Sequence, residues 1–320
     1  MRVITVGTSG ICRDTIKGFK RSGIIVHACV SRSIERARDF ASKNGVKFYS
    51  SDYEKSLMSN NFDTVYIATP NALHYEYAKK ALLASKNVIL EKPFCRTLEE
   101  AKELFEIANS KRVYIFENMT TVHNPLMDTI EKEIKDIGPI RNVEASFYKL
   151  SAKYDEFLKG KNPSVFDPDM NGGALMDLNV YNIAFMLKLF GMPNTLSYHP
   201  HIEKDIDVSG TVMFHYDDLN ATLIAGKDAH CKPHIMVGGE KGYIYVDGIS
   251  SRFNSYVISH NGQTVSNRKI NIDDFLAMCV GDIAKIIESN DKEKYKEYMK
   301  LTLLETNVLE LLRKSGGLSF

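Results

Sequence analysis

The sequence predicts an α/β protein of two domains, an N-terminal doubly wound parallel sheet followed by a second α/β domain rich in short strands. Three observations support this. Strand-like and helix-like segments alternate over the first third of the chain, with short connections. In the second half, DG and NG turn signals separate several short alternating segments. The 320 residues also exceed what one typical domain needs.

Each element follows from its local pattern. VITVG (residues 3–7) reads as a buried parallel strand, and the turn TSG leads into the helix ICRDTIKGFKRSG, ended at Gly23. IIVHACV (24–30) is the next strand and IERARDFASKNG the next helix. FDTVYIAT (62–69), the helical HYEYAKKALLAS and the strand NVILEK (87–92) continue the alternation. Thr97 and Glu100 form a capping box for TLEEAKELFEIANSK, and RVYIFEN closes the series. Next, PLMDTIEKEIKDIG reads as a helix stopped by Gly138 and Pro139, and RNVEASFYKL alternates as a strand. GGALMDLNVYNIAF reads as a mostly apolar helix behind two glycines. DVSGTVMFHY, NATLIAG, PHIMVGG, GYIYVDG and SRFNSYVISHNG are strand-like, and KEYMKLTLLETNVLELLRKSG is a terminal amphipathic helix. The boundary is expected after residue 119, giving domains 1–119 and 120–320.

Composition narrows the function classes. The formal charge is +1 and the basic residues are dispersed, which argues against a nucleic-acid tract or a polybasic membrane anchor. No apolar run is long enough to span a bilayer, and MRVITVG opens as a strand rather than a signal peptide. Five well-separated cysteines without a CxxC pair fit a reduced interior and offer no metal-ligand spacing. A soluble cytoplasmic protein without a metal is expected.

The chemical clues lie at strand ends. After the first strand comes Gly7-Thr8-Ser9-Gly10-Ile11-Cys12. In the dinucleotide fingerprint GxGxxG, Gly7 holds the first position while the small residues Ser9 and Cys12 replace the other glycines. The helix N-terminus would then face a pyrophosphate. After the second strand, Ser31-Arg32-Ser33 lacks the acid that binds the ribose hydroxyls of NAD. Arg32 instead suits a 2′-phosphate, so NADP is preferred over NAD. Thr69, Pro70 and Asn71 follow the third clear strand, where ligands bind in open sheets, and His74 begins a helix as a cap or packing residue. Glu91 and Lys92 end a buried strand before Pro93. A lysine there is rarely core, which leaves it aimed at the cofactor crevice or exposed at an edge.

Together, VGTSGI, VSRSIERA, YIATPNALHYEYA, VILEKPF and GGALMDLNVYNIAF resemble, in order, the segments of the Gfo/Idh/MocA family of oxidoreductases. The resemblance implies an N-terminal Rossmann domain and a C-terminal α/β domain built on a large, open, mostly antiparallel sheet used for substrate binding and oligomerisation. It implies a homodimer or homotetramer. It also implies nucleotide contacts from Gly7, Thr8, Ser9, Gly10, Ile11, Ser31, Arg32, Thr69, Pro70, Asn71, His74, Glu91 and Lys92. The family usually has a histidine where this chain has Tyr181. The branch similar to glucose–fructose oxidoreductase and dimeric dihydrodiol/xylose dehydrogenases has a tyrosine acid/base there.

Asp177 and Tyr181, four residues apart, share a helix face. A phenol ordinarily ionises near pH 10, and a nearby ammonium makes it a better base. Lys92 is the expected ammonium, and Asp177 is expected to orient a substrate hydroxyl or the lysine, although its charge opposes phenolate formation. ENMTTVHNP carries no arginine, which weakens the expectation of an anionic substrate; Thr120, Thr121 and His123 are candidates for the substrate mouth. Asn179 and Asn182 would either meet a sugar or polyol or satisfy nearby backbone. The expected function is hydride transfer between nicotinamide and a sugar, polyol or related hydroxy/carbonyl compound. The alternatives are NAD-dependent glycoside hydrolysis, which gives no net change in nicotinamide, and a non-catalytic nucleotide sensor, which would not need Lys92.

Overall fold

A computed structural model describes residues 1–318 as two compact units. The first contains Met1–Met119 and Asp274–Thr306. Its chain alternates β1 (Arg2–Val6), α1 (Gly10–Arg21), β2 (Ile25–Val30), α2 (Ile34–Lys43), β3 (Phe48–Ser50), α3 (Tyr53–Leu57), β4 (Thr64–Ile67), α4 (His74–Leu83), β5 (Asn87–Glu91), α5 (Leu98–Lys111) and β6 (Ile115–Asn118). The strands form one parallel sheet in the order β3-β2-β1-β4-β5-β6. Strand order reverses between β1 and β4, which opens a crevice at their carboxyl ends.

Alternation along the strands supplies two cores. Val65 and Ile67 of β4 join Ile4, Val88 and Leu90 in one cluster, while Tyr66 joins Val3, Ile89 and Phe116 in the other. Both faces of the sheet are therefore buried, as a parallel sheet requires.

The second unit contains Thr120–Asp273 and the residues from Asn307 onward. Its elements are α6 (Pro125–Glu133), β7 (Ile140–Tyr148), α7 (Tyr154–Leu158), α8 (Val180–Phe190), β8 (Thr195–Glu203), β9 (Ile206–His215), β10 (Asn220–Gly226), β11 (His234–Gly239), β12 (Gly242–Val246), β13 (Ser255–His260) and β14 (Gln263–Lys269). The eight strands form an open sheet in the order β14-β13-β12-β11-β7-β10-β9-β8, antiparallel except for β7 beside β10. One face carries the buried row Val212, Leu223, Ala145 and Ile235. The opposite face carries Met213, Thr222, Glu144, Met236 and Tyr245 in register, none of them buried.

The chain then forms α9 (Phe275–Ser289) and α10 (Lys292–Ser315). Sequence reasoning assigned all of 120–320 to the second domain. Asp274–Thr306 instead clusters with the first unit. Cys279, Val280, Ile283 and Ile286 of α9 join the core containing Val3 and Phe19. Gly18 allows the close approach, since a Cβ there would lie 2.9 Å from the Ala277 nitrogen. No helix among the described residues is long and apolar enough to cross a membrane.

Candidate active site

The turn after β1 is shaped by close backbone contact. Gly7 has φ of 115°, and a Cβ there would lie 2.4 Å from the Ala68 carbonyl oxygen, so glycine is required. Ser9 acts as the N-cap of α1, its Oγ accepting from Cys12 N–H at 3.3 Å. The buried Cys12 thiol donates to the Gly7 carbonyl at 3.3 Å. Thr8 lies in the turn, and Gly10 and Ile11 open α1, where a Cβ on Gly10 would have only Arg13 Nη2 nearby, at 3.9 Å. Across the switch point, the buried Thr69 Oγ1 has no hydrogen-bond partner. Pro70 and Asn71 follow as the chain enters a short 3₁₀ turn.

At the end of β2, Ser31 N–H is bonded to the Ser50 carbonyl. Ser33 caps α2 and donates to Glu35, so its hydroxyl is engaged locally. Arg32 makes no ion pair among the described residues. It lines a cavity of about 430 Å³ with Ser51, Tyr53, Leu73, Tyr77 and Lys80. Three carboxylates also line the cavity: Asp52 caps α3, Glu54 pairs with Lys80 at 2.7 Å, and Glu76 lies in α4. The glycine turn, the capped helix start, the orphaned Thr69 hydroxyl and the unpaired guanidinium fit a dinucleotide phosphate at this edge.

Lys92 is half-buried and follows β5 by a cis bond to Pro93. Two residues expected to touch nucleotide turn their side chains inward instead. Glu91 is buried, its Oε1 accepting from Tyr66 and Asn118, each at 2.6 Å, and burial raises its pKa. His74 is fully buried between two carbonyls, with Nδ1 2.9 Å from Pro93 O and Nε2 3.2 Å from Thr69 O. Burial lowers its pKa to about 4, so the ring is neutral. A neutral ring has one N–H and donates to one of the two carbonyls; through the shorter contact, to Pro93, it ties the start of α4 to the loop carrying Lys92. From the other side, Glu117 of β6 accepts from the Phe94 backbone and bonds to Glu305 of α10. Burial raises both carboxyls, that of Glu117 to about 8, so the pair retains a proton.

In the second unit, Asp177 and Tyr181 stand on a modified helix. Leu175–Asn179 is a single π-helical segment leading into α8, with Val180 N–H bonded to the Leu175 carbonyl five residues back. Such segments recur at functional sites. Asp207 accepts from Leu175 N–H at 2.7 Å and from Tyr198 O–H at 2.6 Å, and burial pushes its carboxyl up to about 6. Gly173, with φ of 97°, passes so close that a Cβ would meet Asp207 Oδ1 at 1.9 Å. A Cβ on Gly172 would lie 2.9 Å from the Ser164 carbonyl. The two glycines thus serve close packing at the start of the segment.

From residue 171 to residue 187 every residue is buried except Asp177 and Tyr181. Asn179 and Asn182 belong to the interior: Asn179 donates to the Leu223 carbonyl, and Asn182 bonds Asn179, the Ile224 carbonyl and Ser250. They satisfy backbone, the second of the two roles expected of them. Thr120 and Thr121 are likewise buried and anchor to the carbonyls of Ser251 and Ser250, and His123 is buried, so none of the three forms an open mouth.

Sequence reasoning missed Lys227, just beyond β10. Its Nζ donates to Asp177 Oδ2 at 2.7 Å and to the Val165 carbonyl at 2.8 Å, and lies 4.7 Å from the Phe166 ring centroid. Nothing in AGKDAH marks it, because its partner lies fifty residues earlier in the chain.

A model of an oxidoreductase family with an NAD-binding Rossmann fold matches residues 1–119, and the model of the Gfo/Idh/MocA C-terminal domain matches residues 133–245. The scyllo-inositol 2-dehydrogenase (NADP(+)) of Bacillus subtilis is 30% identical over 294 residues, covering 92% of this chain and 90% of that protein. The trans-1,2-dihydrobenzene-1,2-diol dehydrogenase of Sus scrofa is 24% identical, covering 94% and 91%. Among solved structures, a 3-ketoreductase from Actinomadura kijaniata in complex with NADP and TDP-benzene superimposes with a TM-score of 0.86 at 22% identity, covering 98% and 97%. With both halves matched by these domain models and nearly its whole length aligned to the Bacillus relative, the chain belongs to the Gfo/Idh/MocA family of oxidoreductases.

Proposed function

We propose that this protein is an NADP(H)-preferring oxidoreductase acting on a sugar, polyol or related hydroxy/carbonyl compound. Tyr181 is its acid/base, Lys92 polarises the reacting oxygen, and Asp177 orients the substrate hydroxyl. The observation that carries this reading is that, within residues 171–187, Asp177 and Tyr181 alone reach partial exposure. A phenol and a carboxylate four residues apart can hold one hydroxyl and move its proton.

Bound nicotinamide supplies or accepts the hydride. The protein's part is to hold the reacting carbon in place and move the proton. In oxidation, Tyr181 Oη receives the hydroxyl proton; in reduction it returns it. The Lys92 ammonium stabilises negative charge on that oxygen. The His74 and Glu117 bonds to the Pro93–Phe94 backbone hold the loop that carries it.

The NADP preference rests on the unpaired Arg32 at the edge of its cavity, and agrees with the NADP(+) in the name of the Bacillus relative. That relative's substrate motivates the polyol and sugar class. The uncovered sheet face with Met213, Met236 and Tyr245 supports a homo-oligomer. A panel of inositols, aldoses and ketosugars screened with NADPH and NADP⁺, following absorbance of the reduced nicotinamide, tests the function. Net turnover with a panel member is expected. Glycoside cleavage without net nicotinamide change, or nucleotide binding with no turnover across the panel, would contradict it.

A further inference from the structure

The Asp177 carboxylate poses a problem for an acid/base tyrosine. It stands four residues before Tyr181, and these two are the partly exposed residues of the stretch 171–187. A negative charge there disfavours the phenolate and makes the phenol a poorer base. The side chain is one-third exposed, so solvent screens the charge only in part.

Lys227 answers this. Its side chain is 3% exposed, so it is closed off from substrate. The ammonium is held by the Asp177 carboxylate, the Val165 carbonyl and the face of Phe166. Its backbone is fixed as well, with Lys227 N–H donating to the Val208 carbonyl at 2.8 Å. A buried lysine needs such a partner set to remain charged. The charge is therefore fixed in position on the Asp177 carboxylate.

We propose that Lys227 is a positioning residue for proton transfer: it fixes the Asp177 carboxylate in one orientation and offsets its negative charge at Tyr181. This rests on the acid/base reading of Tyr181, but its electrostatic content can be tested without turnover. Other titratable groups here include Asp207, engaged by Tyr198 and Leu175 and itself stabilised by the Lys227 charge, and Asp228, bonded to Ser209 and near Tyr148 and His201. Lys92 is the cation assigned to Tyr181 by the proposed function. None of these is altered in the test.

The test uses the full chain with 3-fluorotyrosine at position 181, titrated by fluorine NMR, in the otherwise unaltered protein and in Lys227→Met, Asp177→Asn and the double variant. The Lys227→Met midpoint is expected to rise by about 0.5–1 pH unit, the scale of one nearby uncompensated charge in a partly exposed site. Adding Asp177→Asn removes both charges and should bring it back to within about 0.3 unit of the unaltered protein, with Asp177→Asn alone lying below it. An unchanged midpoint in Lys227→Met, or a double variant that stays high, overturns the proposal. If Lys227→Met does not fold, the neutral double variant set against Asp177→Asn decides: a higher midpoint in the double variant supports the proposal and agreement overturns it. Hydride transfer by Tyr181→Phe is measured separately. A full rate in that variant together with a Lys227-dependent midpoint would sink the acid/base reading and leave the electrostatic coupling standing.

Discussion

Replacing Gly173 by alanine would put a methyl carbon 1.9 Å from Asp207 Oδ1, in a backbone held at φ of 97°. Two costs follow. A non-glycine residue in that conformation costs about 1–3 kcal/mol. The carboxylate must also withdraw, weakening its bond to Leu175 N–H, a charged hydrogen bond of about 1.5–3 kcal/mol. The sum is roughly 2.5–6 kcal/mol, or about 5–24 °C in the melting temperature of a domain this size. Gly160 is the control, with φ of 83° and nothing within 4 Å of a built Cβ, so Gly160→Ala carries only the backbone cost. Calorimetric and urea unfolding of both variants should show Gly173→Ala the less stable by at least about 1.5 kcal/mol. Equal losses, or a Gly173→Ala loss below about 1 kcal/mol, would refute the claim that Gly173 is required by its close packing on Asp207.

Other consequences can be measured directly. Arg32→Ala should weaken NADPH binding at least about tenfold in calorimetric titration and change NADH binding much less; equal losses would remove the 2′-phosphate assignment. Glu117, raised to about 8, contributes stability that is complete below its ordinary value of 4.5 and is lost as pH rises through about 8. Glu117→Gln cannot ionise, so its melting temperature should fall less than that of the unsubstituted protein between about pH 6 and about pH 9, and parallel curves would contradict this. Light scattering should give a multiple of 36.1 kDa at micromolar concentration, with a monomer-only result arguing against the sheet-face interface.

Local pattern made much of the fold legible. Four-residue runs such as TVYI are apolar on both faces because both faces of the parallel sheet are covered. β8 was missed because Pro200 interrupts its pattern, and the strand tolerates proline because it lies at the sheet edge. β3 and α3 are too short to leave a period. α9 was missed as an element, and its packing on α1 depends on Gly18, which no local signal marks.

In the candidate site, the spacing of Asp177 and Tyr181 was readable, as was the phosphate-suited Arg32. The inward turn of Glu91 and His74 was not, because their partners, Tyr66, Asn118 and the Pro93 carbonyl, are set by tertiary packing. The start of the π segment is bonded to Asp207, thirty-two residues beyond Leu175, and Lys227 lies fifty residues from the carboxylate it holds.

The most direct test of the central claim is single-turnover hydride transfer by Tyr181→Phe, with NADP⁺ bound and the best substrate from the panel. The ring and helix remain, so melting temperature and nucleotide affinity should stay unchanged. The rate should fall by roughly 10²–10⁴-fold, the range for a lost general acid or base. A rate within about twofold of the unsubstituted enzyme would remove Tyr181 from proton transfer and contradict the account.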